Sequence, residues 1–175
     1  MSLVSSPFFF SKGVVADGAG QSLRFEDGDS SYLSHTPAAA GNRKKFTISA
    51  WVKRANLSNG QDVIMQVGTE SGGNQRAWFY FTSSDTLTFM FGNSASNTVG
   101  YEYYTNAKFR DPSAWYHCMA VIDTDNTNEY NDTAGTNRVE IYVNGEFQTL
   151  VRYRSAVPSG YSNGRINQNI EHCIG

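Results

Sequence analysis

The sequence predicts an all-β protein folded as an antiparallel two-sheet sandwich, and three observations carry that reading. Ser, Thr and Asn supply 47 of the 175 residues, a composition suited to strands joined by polar turns. The apolar runs are short, bounded by turn residues, and recur about every 10 to 15 positions. No stretch sustains the 3.6-residue period of an amphipathic helix. Strands are expected at about 22–26, 31–35, 46–54, 62–68, 76–82, 86–92, 99–105, 115–123, 137–143, 146–152 and 170–174.

Alternation justifies the clearest of these. In Phe46-Thr47-Ile48-Ser49-Ala50-Trp51-Val52-Lys53 the even positions are apolar and face a core, which sends Trp51 outward with Thr47, Ser49 and Lys53. In Arg138-Val139-Glu140-Ile141-Tyr142-Val143, the residues Val139, Ile141 and Val143 share a face opposite Glu140 and Tyr142. Asn144-Gly145 then separates this run from Glu146–Val151, and both residues tolerate the positive φ of a type I′ turn. No internal linker interrupts the chain. Residues 1–20 read as a lead-in segment and 21–175 as one sandwich domain, with polar insertions at 124–137 and 155–169.

Composition narrows the function classes. The formal charge is −2 and the basic residues are scattered apart from Arg43-Lys44-Lys45, so no basic stripe for nucleic acid is expected. No run approaches the roughly 20 apolar residues of a membrane-spanning helix. The N-terminus lacks the early positive charges and apolar run of a signal peptide, so no secretory leader is expected. Cys118 and Cys173 are read as free thiols or as a single bridge. His117-Cys118 and His172-Cys173 suggest zinc, but neighbours on one strand point to opposite faces and do not share a metal easily.

Four segments in order carry a family resemblance: Ser22–Ser34, Phe46–Lys53, Trp115–Val121 with its Trp-x-His, and Val139–Gly145 with its Tyr-Val-Asn-Gly. Together they resemble a concanavalin A-like lectin/glucanase domain of the laminin-G-like type, over about residues 20–175. The resemblance implies a jelly-roll sandwich. The loop Thr36–Lys45 is similar to that of domains in tail and other structural proteins of bacterial viruses. It implies a virion protein made in the host cytoplasm, partnered by host-surface glycans and other virion proteins, and assembled as a homo-oligomer, guessed as a trimer. In that family the strand ending in Ile-Gly is usually followed by a closing segment. A chain stopping at Ile174-Gly175 is therefore expected to lack its last strand or to leave an edge for a neighbour.

Hydrolases of this fold place a Glu-x-Asp-x-x-Glu pattern on one strand, and this sequence has none. Glu140 is the sole carboxylate of the 137–143 strand. A non-enzymatic binder is expected, with no required cofactor. His117 is expected as a buried, hydrogen-bonded core histidine. For stacking on sugar rings the candidates are Trp78, Tyr80, Tyr101 and Tyr103. The oxygen-rich segment beginning Asp123-Thr124-Asp125-Asn126 offers Asp123, Asp125 and Asn126 to calcium, although it departs from the EF-hand loop.

Overall fold

The computed structural model describes residues 22–58, 60–68, 76–93, 98–126 and 138–175. They fall into two units, residues 22–33 with Gly175, and residues 34–174. In the first, the expected 22–26 strand is absent. Arg24 pairs with Glu26 at 2.8 Å, and a 3-10 turn at Asp27–Asp29 ends on Ser30 in the left-handed region.

Eleven strands follow among the described residues: β1 (Leu33–His35), β2 (Lys45–Val52), β3 (Asp62–Val67), β4 (Ala77–Phe81), β5 (Leu87–Asn93), β6 (Thr98–Thr105), β7 (Tyr116–Asp123), β8 (Val139–Val143), β9 (Glu146–Phe147), β10 (Leu150–Arg152) and β11 (His172–Ile174). They form a seven-stranded sheet ordered β1-β11-β3-β4-β5-β6-β10 and a four-stranded sheet ordered β2-β7-β8-β9. The registered pairs are antiparallel, as the sequence predicts.

The two sheets enclose one apolar core. Val67, Phe79, Phe81, Leu87, Phe89 and Tyr103 come from the larger sheet, and Cys118, Ala120, Ile122 and Ile141 from the smaller. Period-2 alternation places them: β7 and β8 alternate buried with half-buried residues along their whole length. Phe46, Ile48, Ala50 and Val52 pack against the core, and Trp51 is 63% exposed on the other side of β2. Asn144 and Gly145 turn with φ of 53° and 82°, which joins β8 to β9.

Two expectations need correction. The run 146–152 is not one strand: Glu146–Phe147 pairs with β8, whereas Leu150–Arg152 crosses to pair with β6 in the other sheet. Leu150 is buried and both β9 residues are exposed, so burying Leu150 goes with leaving the smaller sheet. Nor is the last strand an edge, because β11 lies between β1 and β3.

One end of the sandwich is tied by ions. The Arg54 and Asp85 side chains are each 1% exposed, with Nη1 3.1 Å from Oδ1. Arg54 also reaches Asp62 at 2.7 Å, donates to the Phe109 carbonyl at 2.7 Å and lies 4.5 Å above the Phe81 ring. Asp85 accepts further bonds from Arg110 Nε at 2.9 Å and from the Ser58 N–H and hydroxyl at 2.9 and 3.0 Å. Burial alone would raise its pKa. The donors from Ser58, Arg110 and Arg54 outweigh that and hold the carboxyl well below the usual carboxylate range.

Asp85→Asn is expected to cost up to about 3–5 kcal/mol in urea unfolding, because it removes the buried one of Arg54's two carboxylate partners and leaves only the partly exposed Asp62. Since the folded-state pKa is depressed, Asp85's contribution is fully present above the unfolded value of about 4 and is lost as pH falls below it. The wild type should therefore lose stability more steeply than Asp85→Asn below about pH 4.

Candidate functional site

The structure divides the four aromatic candidates between two faces of one sheet. Tyr101 and Tyr103 point into the core, 7% and 1% exposed, and offer no ring to a ligand. Tyr103 fixes the strandless segment after β10 by accepting the Val157 N–H at 3.1 Å, and Tyr101 packs edge-on to Tyr161. Burial raises the pKa of the Tyr101 hydroxyl. Trp78 and Tyr80 lie on the outer face of the seven-stranded sheet, where they cluster with Met90 and Val63.

Register explains this split. Trp78 pairs with Met90 and Met90 with Glu102, so Glu102 shares the outer side with Trp78. Its neighbours Tyr101 and Tyr103 must then point inward. The same ladder brings Tyr80, Thr88 and Tyr104 into a second outward row, with Val151 of β10 at its end.

On this face the Arg76 guanidinium lies 3.6 Å over the Trp78 ring, a cation–π contact. The Tyr80 hydroxyl donates to Glu102 Oε1 at 3.3 Å, and Arg154 Nε pairs with Glu102 Oε2 at 3.0 Å. Burial first, then the adjacent Glu102 carboxylate, pushes the Tyr80 hydroxyl above its ordinary value. Arg154 lies 5.4 Å from the centroid of Tyr153, which is 63% exposed and inclined towards Tyr104 at 6.4 Å. Two polar atoms deep in the face, Trp78 Nε1 and Thr88 Oγ1, are buried and have no hydrogen-bond partner among the described residues. The accessible margin is thus Tyr153, Arg154 and the edge of Glu102. Trp78 and Tyr80 are its floor, 4% exposed each, rather than open platforms.

Sequence reasoning missed Arg76, Glu102, Tyr153 and Arg154. Arg76 stands two residues before Trp78 and shares its side, a signal that period-2 alternation makes available. Glu102 and Arg154 are 52 residues apart, and no local pattern joins them.

The calcium candidates are already engaged. Asp123 Oδ2 pairs with Lys45 Nζ and Asp125 Oδ1 with Lys44 Nζ, both at 3.2 Å, and Asp123 Oδ1 accepts the Asp125 N–H at 3.0 Å. The Asn126 carbonyl accepts Arg138 Nε at 3.0 Å. The remainder of that loop, residues 127–137, lies outside the described residues. Among the described residues, no three His, Cys, Asp or Glu side chains gather as a metal site.

His117 is on a core strand but faces outward, a correction to its expected burial. Its Nε2 is 2.8 Å from Ser49 Oγ and its ring stacks on Trp51. Cys118, its inward neighbour, is a free thiol pushed up to about 12 by burial. Cys173 is also free. The carboxylates of the two sheets cannot act together: Glu102 faces out from the larger sheet and Glu140, bonded by the Tyr142 hydroxyl at 2.8 Å, faces out from the smaller. Sheets pack about 10 Å apart, beyond the roughly 5–9.5 Å that glycosidase pairs use.

Comparison with known proteins agrees with the architecture. A family model described as the concanavalin A-like lectin/glucanases superfamily matches residues 27–166. Among solved structures, the CBM40 of the Ruminococcus gnavus IT-sialidase aligns with 15% identity over 77% of this chain and 65% of that chain, TM-score 0.52. The same module bound to α2,3-sialyllactose gives 16%, 78%, 64% and 0.52, and bound to α2,6-sialyllactose 14%, 78%, 66% and 0.51. The chain thus spans about two thirds of the length of these modules, and at such identity the likeness is one of fold. Among curated proteins none matches significantly.

Because Lys44 and Lys45 already neutralise the two aspartates, added calcium at low millimolar concentration should leave the thermal unfolding midpoint unmoved. A midpoint that climbs with calcium concentration would show that the ion displaces the lysines.

Proposed function

The chain belongs to the concanavalin A-like lectin/glucanases superfamily, and from that premise we propose that it is a non-enzymatic glycan-binding module whose site is the outer face of the seven-stranded sheet at the β6–β10 margin. The observation that carries the reading is the exposed Tyr153 ring beside the Arg154–Glu102 pair, with Tyr80 bonded to the same carboxylate behind it. A flat ring takes the C–H face of a sugar, while a guanidinium and a carboxylate bond its hydroxyls or an acidic substituent. The sialyllactose held by the similar CBM40 structures supports including acidic oligosaccharides among the ligands to try. The separation of Glu102 from Glu140 supports binding over hydrolysis.

The wider setting rests on the sequence resemblance of the Thr36–Lys45 loop. In it the module is a tail or fibre component of a bacterial virus, displayed in several copies as a symmetric oligomer, a trimer by preference, so that weak sites add up by avidity. The alternative from a different class is an assembly module that joins other virion proteins and binds no glycan.

Screening the full chain on a glycan array that includes α2,3- and α2,6-sialyllactose should give specific retention, with no release of reducing ends. Arg154→Ala and Tyr153→Ala should each weaken it about tenfold or more, as truncation of an interface anchor does. Reducing-end release would replace this reading with the enzyme. A blank array together with co-assembly into particles would replace it with the assembly module.

A further inference from the structure

Two of the three tryptophans are open to solvent at one corner of the four-stranded sheet, Trp51 at 63% and Trp115 at 48%. Trp51 pairs in register with outward-facing His117. Trp115 stands two residues before His117, with buried Tyr116 between them, so alternation carries it to the same outer side. This face is on the opposite sheet from the Tyr153–Arg154 margin.

The Trp51 ring is held in place. It stacks on the His117 imidazole with centroids 5.0 Å apart and planes 26° from parallel. His117 Nε2 is fixed by Ser49 Oγ at 2.8 Å. The backbone of His117 is tied on both sides to the β8–β9 turn: its N–H donates to Asn144 Oδ1 at 2.8 Å, and its carbonyl accepts the Asn144 N–H at 2.9 Å. A ring immobilised before binding loses little rotamer freedom when a ligand arrives. β2 is the margin of its sheet and pairs only with β7 among the described strands, so one face of the indole is covered by His117 and the other is open.

The charges around the two rings are of both signs: exposed Lys53, two residues after Trp51 and on its outward side, interacts with the Asp111 carboxylate. Asp123 and Lys45 pair with each other at the far end of β2, and Glu140 is bonded by Tyr142, whose ring packs against half-exposed Phe147 at 5.5 Å. An uncharged partner that is apolar on one face and hydroxyl-bearing at its rim fits this arrangement better than an acidic one.

Resting on the glycan-binding reading above, we propose that Trp51 and Trp115 form a second saccharide site, which stacks the C–H face of a neutral hexopyranose. One sandwich would then engage glycan through both of its sheets. A single chain with two such sites would cross-link a soluble polysaccharide without first forming an oligomer.

The full chain is run in native gels containing dextran, mannan or a mixed-linkage β-glucan, with iodide quenching of tryptophan fluorescence alongside. Retention is expected in at least one of these gels, together with shielding of the two exposed indoles from iodide. Trp51→Ala and Trp115→Ala should each cut retention about tenfold. Trp51→Phe, which keeps a stacking ring, should stay within about threefold. Urea unfolding checks that the variants are folded, since both side chains are largely in solvent. If glycan binding persists in Trp51→Ala and disappears in Tyr153→Ala, the second site is overturned while the first stands. A wild type that binds no glycan of any kind removes both. If Trp51→Ala changes the sedimentation coefficient and not glycan retention, the rings dock another copy of the chain, and the saccharide proposal is overturned.

Discussion

Asp85 is a carboxylate with almost no exposed surface, held between two guanidiniums and a serine, and it ties the β4–β5 hairpin of the larger sheet to the exit of β2. It sits in the turn between β4 and β5, at a positive φ of 63° that aspartate tolerates better than most residues. Its carbonyl accepts the Phe109 N–H at 2.8 Å, while Arg54, just past the end of β2, supplies the buried charge. The β4–β5 hairpin, the segment after β6 and the exit of β2 therefore converge on one ionic centre. An unpaired charge there would cost several kcal/mol, so these segments are fixed together or not at all.

Fixing the β4–β5 hairpin fixes which residues look outward across β3 to β6 and β10. Trp78, Met90 and Glu102 form one outward row, and Tyr80, Thr88 and Tyr104 the next. Arg154, just beyond β10, closes the row on Glu102. The smaller sheet shares that centre through Arg54 at the exit of β2, and its outer face is arranged by the Asn144-Gly145 turn and the His117–Trp51 stack. The sandwich thus carries two outer faces of different chemistry. One is aromatic with paired charges and the other aromatic and nearly neutral, with the core between them insulating each from the other. This separation also keeps Glu102 and Glu140 from meeting at one site.

Much of the architecture was legible because strand periodicity is local. The alternation in β2 and β8 identified the inward residues, and Trp51 was assigned to solvent from its odd position alone. The aromatic run Ala77–Phe81 resisted the same treatment, since every residue in it is buried and both faces of β4 are apolar. Tyr101 and Tyr103 resembled binding residues for the same reason: tyrosine suits a core with a polar partner as well as a ligand face. His117 was expected inside because its strand is a core strand, yet its own parity turns it outward.

By itself the sequence determined that this chain makes short antiparallel strands, where most of them lie, where the β8 hairpin turns and which side of β2 is wet. Alternation and turn chemistry need only neighbouring residues. The tertiary structure alone decided that residues 146–152 divide between two sheets, that Arg54 meets Asp85 and that Arg154 meets Glu102. It also decided that Trp78 and Tyr80 face away from Tyr101 and Tyr103. A period of two states which residues share a side, but the side that becomes interior is chosen by what packs against it, and that partner is distant in the chain.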